Sequence, residues 1–274
     1  MTIEELLVYA KQYIHKDHAK ILLAEIIHKN PLELLLHLDE LVSEEDTERF
    51  KKQVQALSQG KPLQYVMGYV NFCGIKYIIN NDVLIPRFET EELVEYTKER
   101  INKIFTEPVE IIDLGCGSGV IGLTLEKKLS TKTVDLVDIS KKALEVATLN
   151  KNLLNSNANI IESDFFNNID KKYDVIISNP PYIKTNEDIE DIVKNNEPHL
   201  ALYAGEDGLD CYKSILSNIN THMKERCLIA FEIGNTQKND IIALINKYIS
   251  DCKIEVVKDM SERDRMIFIY KNIE

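Results

Sequence analysis

Asn179-Pro180-Pro181-Tyr182 is the stretch of this 274-residue chain whose residue types point most directly to chemistry. It follows the apolar run Tyr173-Asp174-Val175-Ile176-Ile177-Ser178, which reads as a buried strand closing in a sharp break. Two adjacent prolines fix φ and have no N–H to donate, so the carbonyls here and the Asn179 amide can face a pocket instead of a sheet partner. Such a pocket offers acceptors to a planar NH2 group. The plain alternative is a turn that ends a strand, and what separates the two is whether a cofactor site precedes it.

A second constellation does precede it. Asp113-Leu114-Gly115-Cys116-Gly117-Ser118-Gly119 sits where the run Val109 to Leu114 hands over to a helix. Glycines there allow tight turning and close approach of a ligand to the backbone, at a helix N-terminus whose free N–H groups attract anionic groups. The glycines alone leave the ligand open, because Gly117-Ser118-Gly119-Val120-Ile121-Gly122 also spells the Gly-x-Gly-x-x-Gly of dinucleotide sites. Asp138 ends the next strand about 20 residues on, where its carboxylate would hold ribose hydroxyls in either case. Ser163-Asp164-Phe165-Phe166 follows the third strand, a position from which Asp164 could accept from an exocyclic amine and Phe165 could stack on or flank a ring. All these positions fall at carboxyl ends of neighbouring strands, the crevice where open α/β sheets bind ligands. Packing or turn geometry would explain each residue singly; their order argues for a site.

The elements that must position these residues are legible as periodicities. Thr2-Ile3-Glu4-Glu5 is a capping box, with Ile3, Leu6, Leu7, Ala10 and Ile14 at helical spacing behind it. Asn30-Pro31 predicts a second helix start, followed by Leu32, Leu35, Leu36 and Leu38, and Ser43-Glu44-Glu45-Asp46 predicts a third that runs through Phe50, Val54 and Leu57 to Gly60. Tyr65 to Phe72 and Ile75 to Ile79 are rich in β-branched and aromatic residues around Cys73-Gly74, which predicts a hairpin. From Thr90 onward strand and helix alternate: Val109 to Leu114, Thr133 to Asp138, Asn159 to Glu162, Tyr173 to Ser178, Cys227 to Ile233, Ile254 to Val257 and Met266 to Tyr270. Such alternation implies a mainly parallel sheet with helices on both faces. Only Lys258 to Arg265 separate the last two runs, so these should form an antiparallel edge hairpin. The expected domains are 1–70, helical; 71–86, a β-hairpin linker; and 87–274, the α/β domain.

Composition narrows the partners. The hydrophobic content of 44% suits a soluble globular chain with one substantial core and a smaller unit. No apolar run approaches the roughly 20 residues of a membrane helix, and Met1-Thr2-Ile3-Glu4-Glu5 lacks a basic region followed by an apolar one, so no membrane or export role is expected. Cys73, Cys116, Cys211, Cys227 and Cys252 are scattered without a Cys-x-x-Cys pair, which fits reduced thiols in a cytoplasmic protein, and neither they nor His15 and His18 space a metal site. The net charge of −12 would repel a duplex overall, which disfavours a nucleic-acid partner.

Asp113 to Gly119 resembles the acidic-apolar-Gly-x-Gly-x-Gly signature of class I S-adenosylmethionine-dependent methyltransferases, and Asn-Pro-Pro-Tyr resembles the substrate motif of those acting on amide or exocyclic amino nitrogens. Further segments are similar to the release-factor glutamine methyltransferase (HemK/PrmC) family: Gln64-Tyr65-Val66-Met67-Gly68, Ile85-Pro86-Arg87-Phe88-Glu89-Thr90-Glu91, Glu197 to Leu202 with Gly205 to Leu209, Phe231-Glu232-Ile233-Gly234 with Gln237, and Arg263-Asp264-Arg265. Phe88 stands where the family usually has proline, Glu262 where glycine is common, and Phe165 where tryptophan often flanks adenine.

This resemblance implies a seven-stranded Rossmann-like sheet with an antiparallel edge hairpin and a small N-terminal helical domain that holds the substrate. It implies methylation of N5 of the glutamine in the Gly-Gly-Gln motif of peptide chain release factors, with S-adenosyl-L-methionine as cofactor. The cofactor would be held by Asp113, near the methionine ammonium, by Gly115, Cys116, Gly117, Ser118 and Gly119, by Asp138 at the ribose, by Asp164 and Phe165 at adenine, and by Asn179. Asn179, Pro180, Pro181 and Tyr182 would form the catalytic turn. The alternatives are a ribosomal-protein glutamine or adenine-N6 methyltransferase, an idle cofactor-binding scaffold, and a nicotinamide oxidoreductase.

Overall fold

The computed structural model describes residues 1–273, in two compact units. The first is helical. α1 (Ile3–Ala10) starts at the predicted capping box, where the Glu5 N–H donates to Thr2 Oγ1 at 3.2 Å and the Thr2 N–H to Glu5 Oε2 at 2.9 Å. α2 (Lys16–Ile26) follows. The helix predicted after Asn30-Pro31 is a single 3₁₀ turn, Glu33–Leu36, although Asn30 Oδ1 does accept from the Leu32 N–H at 2.9 Å. So short a run has too few bonds to repay helix nucleation, and only Leu34 of its leucines reaches the core.

α3 (Glu44–Ser58) is capped by Ser43, whose hydroxyl oxygen accepts from the Asp46 N–H at 3.0 Å. α4 (Leu63–Met67) corrects the expectation that Tyr65 to Met67 belong to a strand: they form a helical turn that Gly68 ends in the left-handed conformation at φ 79. Leu6, Leu22, Leu23 and Phe50 are the centre of this unit's core.

The second unit begins at Tyr69. β1 (Tyr69–Phe72) and β2 (Ile75–Ile78) form the hairpin around Cys73-Gly74. There follow α5 (Phe88–Ile104), β3 (Val109–Leu114), α6 (Val120–Lys128), β4 (Thr131–Asp138), α7 (Lys141–Leu153), β5 (Asn159–Glu162) and β6 (Tyr173–Ser178). Then come α8 (Asp191–Asn196), α9 (Asp210–His222), β7 (Met223–Glu232), α10 (Lys238–Tyr248), β8 (Cys252–Lys258) and β9 (Asp264–Lys271). The segment Glu190–Asn196 belongs to the helical unit, where Asn196 Nδ2 donates to the Gly60 carbonyl at 3.1 Å.

Each of the seven apolar runs read from the sequence is a strand of one seven-stranded sheet, in the order β5-β4-β3-β6-β7-β9-β8. Pairing is parallel from β5 through β7, and β9 runs antiparallel to both β7 and β8. The central strands are apolar on both sides because alternate residues serve two cores. Ile111, Val175 and Leu228 pack with Leu123 and Leu136 in one, whereas Ile112, Ile176 and Ile229 pack with Tyr212 and Ile215 in the other. The chain lays β3, β4 and β5 outward and then returns to place β6 on the opposite side of β3. Strand order therefore reverses between β3 and β6, and the crevice at their carboxyl ends is where such sheets accept ligands.

Candidate active site

Register brings the two motifs together. Leu114, the last residue of β3, pairs with Ser178, the last of β6, and the Ser178 hydroxyl donates to the Leu114 carbonyl at 2.6 Å. The glycine loop and the Asn179 turn thus leave the sheet side by side. Leu114 also pairs with Val137, and Asp138 with Glu162, which sets Asp138 and the Ser163 to Phe166 segment in the same row of strand ends.

A cavity of about 240 Å³ opens there. Gly115, Cys116, Gly117 and Ser118 form one wall, Asp138 with Asp164 and Phe165 another, and Asn179 and Pro181 a third. Gly115 and Gly117 have φ of 71 and 54, a region that side-chain-bearing residues seldom enter, so the loop can turn back on the cavity. The Gly117 N–H donates to Asp138 Oδ2 and the Ser140 N–H to Oδ1, both at 2.9 Å. These bonds aim the carboxylate and leave lone pairs on each oxygen for ligand hydroxyls. Burial pushes the Asp138 carboxyl above its usual range. Phe165 holds φ at 46, a conformation costing on the order of 1 kcal/mol for a bulky residue, and its ring lies on the cavity wall. Cys116 and Cys211 also line the cavity, with burial raising both thiols, so they stand as neutral wall rather than nucleophile.

Four of the residues singled out from the sequence lie off the cavity wall. Asp113 is fully buried behind the loop; its Oδ2 accepts from the Gly122 N–H in the first turn of α6 at 2.9 Å, and its Oδ1 has no hydrogen-bond partner. Burial raises this carboxyl to about 7. Gly119 is the N-cap of α6, where a Cβ would stand 3.1 Å from Leu123 and 3.3 Å from Leu136, a packing role. Pro180 contributes to the turn, while Tyr182 packs against the buried cluster of Ile233 and Phe231. The Tyr182 carbonyl accepts from Gln237 Nε2 at 3.0 Å, as does the Gly208 carbonyl, so Gln237 ties the turn to the loop that follows it.

Sequence reasoning assigned no role to several residues that complete the site. Val83, Leu84, Pro86 and Thr90 come from the segment leading into α5, and Pro198, Leu200 and Ala201 from the segment beyond the turn. Glu197 joins these two segments: its buried carboxylate accepts from the Ile85 N–H at 3.0 Å and pairs with Arg87. Asn179 Nδ2 donates to Thr90 Oγ1 at 3.1 Å, and Thr90 in turn donates to Glu232 Oε2 at 2.7 Å. Glu232 is hidden in the sequence because it is a single charge near the end of the otherwise apolar run Cys227 to Ile233, where it reads as the edge of a strand.

The cavity therefore has a glycine cradle, a carboxylate aimed by backbone N–H groups, an aromatic face beside an acidic residue, and an amide at one wall. This donor and acceptor set fits a ligand with an aromatic amine and ribose hydroxyls.

Comparison with known proteins agrees with the architecture and narrows it. Residues 5–68 match the model of the PrmC N-terminal domain, and residues 92–201 that of the Methyltransferase small domain. The chain is 38% identical over 285 residues to the release factor glutamine methyltransferase of Bacillus subtilis, covering 99% of each protein. To the one from Bacillus cereus it is 34% identical, covering 98% of this chain and 99% of that one. Among solved structures, a T. thermophilus 16S rRNA methyltransferase in complex with AdoMet and guanosine superimposes with a TM-score of 0.55 at 15% identity, over 74% of this chain and 50% of the other, a likeness of fold alone. With both units matched and identity sustained from end to end, the chain belongs to the release factor glutamine methyltransferase family.

Proposed function

We propose that the protein transfers a methyl group from S-adenosylmethionine to the N5 amide nitrogen of the glutamine in the Gly-Gly-Gln motif of peptide chain release factors. The observation that carries this reading is the adjacency of the glycine cradle and the Asn179 turn across the β3–β6 pairing, within a chain related along its whole length to release factor glutamine methyltransferases. When bound, S-adenosylmethionine supplies an electrophilic methyl on a sulfonium. The residues that would hold it are Gly115 to Ser118 around the amino-acid portion, Asp138 at the ribose, and Asp164 with Phe165 at the adenine. Asp113 would act through the loop: by anchoring the Gly122 N–H it fixes α6 behind the cradle.

An amide nitrogen is a poor nucleophile, since its lone pair is delocalised into the carbonyl. The task of this chain is to orient the NH2 group and to stabilise the positive charge that grows on nitrogen. Asn179, on the cavity wall, would accept one N–H bond through Oδ1, and the carbonyl of Pro180, next in the same turn, would accept the other, so that the NH2 group is held in one orientation. Pro181 stiffens the turn, and Tyr182, held through its carbonyl by Gln237 and packed on the buried cluster around Phe231, anchors it. The acceptors cost no reorganisation when charge develops, which is where fixed dipoles act most strongly. The N-terminal helical unit grips the release factor; the exposure of Leu32, Leu35, Leu36 and Leu41 on it supports that role. A cytoplasmic location follows from such a substrate.

Label transfer from radioactive S-adenosylmethionine tests the reading, with release factor, its Gln→Ala variant, a ribosomal protein and an oligonucleotide in parallel. Label should appear on the wild-type release factor alone; equal label on the Gln→Ala variant refutes the acceptor assignment.

A further inference from the structure

We propose that Glu232 is a positioning residue that, together with Thr90, fixes which end of the Asn179 amide faces the substrate. This rests on the acceptor being a planar NH2 group, as argued above, and it adds a condition that the turn motif alone does not contain.

The argument is one of hydrogen-bond polarity. An amide side chain has a donor end and an acceptor end of nearly the same shape, so packing does little to choose between them. Only an acceptor toward the cavity can orient an NH2 group. Ser178 pairs with Phe231, which makes Asn179 and Glu232 the next residues along two adjacent parallel strands. Thr90, in the first turn of α5, stands between their side chains, and both Thr90 and Glu232 are buried. An ionised carboxylate can only accept, so the Thr90 hydroxyl must donate to it, as the 2.7 Å contact with Oε2 records. With its proton committed, the Thr90 oxygen can only accept from Asn179, and the donor found there at 3.1 Å is Nδ2. The Glu232 carboxylate also accepts directly from the Asn179 side chain, which demands the same donor end. Oδ1 is left for the cavity that Asn179 lines.

Protonation of Glu232 removes the constraint. A carboxylic acid can donate to Thr90, the hydroxyl proton can then turn to Asn179, and the amide would satisfy it by presenting Oδ1 inward and NH2 to the cavity. An NH2 there meets the substrate NH2 donor to donor. The charged and titratable groups facing Glu232 are Arg265, which favours its ionised form, Glu89, which opposes it, and the phenols of Tyr182 and Tyr212. Arg265 is itself held by Asp259, with Nε 3.3 Å from Oδ2, and donates to the Ile233 carbonyl from Nη1 at 3.1 Å. Burial raises the Glu232 carboxyl to about 7, which places the switch inside a measurable range.

The experiment measures transfer to release factor against pH, from about 5.5 to 9, for wild type, Glu232→Gln, Thr90→Val and Thr90→Ser, with S-adenosylmethionine affinity by calorimetry beside each. Glu232→Gln keeps the size of the side chain but can donate as well as accept, so kcat at high pH should fall roughly 10²-fold, the scale of losing one aligned polar group in a transition state. The limb of the pH profile below about 7 should vanish with it. Thr90→Val should lower kcat in the same direction by a smaller factor, since Glu232 still accepts from Asn179 directly, and Thr90→Ser should recover most of the activity, with the far-UV circular dichroism spectrum unchanged throughout as proof of fold. Wild-type kcat and an unaltered acidic limb in Glu232→Gln would overturn the inference while leaving the methyltransferase reading intact. No transfer by the wild type to release factor would instead overturn that reading, and this inference with it.

Discussion

At the residue scale the site divides into groups that bind and groups that align, and substitution should separate them. On the proposed function, Asn179→Ala removes an acceptor made useful as the amide nitrogen pyramidalises, so turnover should drop by about 10²-fold or more, far more than S-adenosylmethionine affinity by calorimetry. Asp138→Ala should do the reverse, weakening cofactor affinity because both carboxylate oxygens are aimed into the cavity by the Gly117 and Ser140 N–H groups. Unchanged affinity in that variant would remove Asp138 from the ribose. Residues of this kind were legible in the sequence because their chemistry is carried by a local pattern: a glycine string after a strand, a carboxylate at the next strand end, two prolines after an asparagine. Thr90 and Glu232 lie in segments that resemble the family but carry no readable role, since a threonine in a helix and a glutamate at a strand end have ordinary explanations until Thr90 is seen between Glu232 and a distant asparagine.

At the element scale the packing of α6 on the sheet governs the cradle. Gly122 lies where a Cβ would overlap Leu136 Cδ2 and stand 3.2 Å from the Asp113 Cβ, so the helix approaches β3 and β4 more closely than any side chain permits. Gly122→Ala should therefore displace the first turn of α6 and destabilise the protein by about 1–3 kcal/mol, the usual cost of overpacking, seen as a lower midpoint in thermal unfolding. An unchanged midpoint would mean that Leu136 gives way freely. Several elements were readable from periodicity, including all seven strands and the capped starts of α1 and α3. The errors occurred where a run was short. Tyr65 to Met67 carry strand-forming residues but sit just before a left-handed glycine, which closes a helical turn. The leucines after Asn30-Pro31 have helical spacing, yet the chain leaves the helix after one 3₁₀ turn. Glu262 occupies φ 61 in the β8–β9 hairpin, where the family commonly has glycine, so the turn survives the substitution at some cost in strain.

At the scale of the whole molecule, two buried carboxyls couple the site to stability. Asp113 and Glu232 are each raised to about 7 by burial, whereas in the unfolded chain they titrate near ordinary carboxyl values. Because the folded state holds these protons more tightly, their contribution is fully present below about pH 4 and is lost as pH rises through about 7. Asp113→Asn should flatten that decline, by on the order of a few kcal/mol at alkaline pH, in denaturant unfolding followed at several pH values. An identical slope in the variant would show that Asp113 is ionised without penalty. The pH that favours the ionised, aligning form of Glu232 is thus the pH at which the fold is weaker, a tension expected where function needs a charge in the interior. By itself the sequence determined the sheet, the order of its motifs and the family, because hydrophobic alternation and short glycine and proline signals act over a few residues. Only the tertiary structure decided which way those motifs face: strand register set the glycine cradle beside the Asn179 turn, and a hydrogen-bond chain from β7 through α5 gave the amide its polarity. That information lies in contacts between residues 89 and 142 positions apart in the chain, which no local pattern can carry.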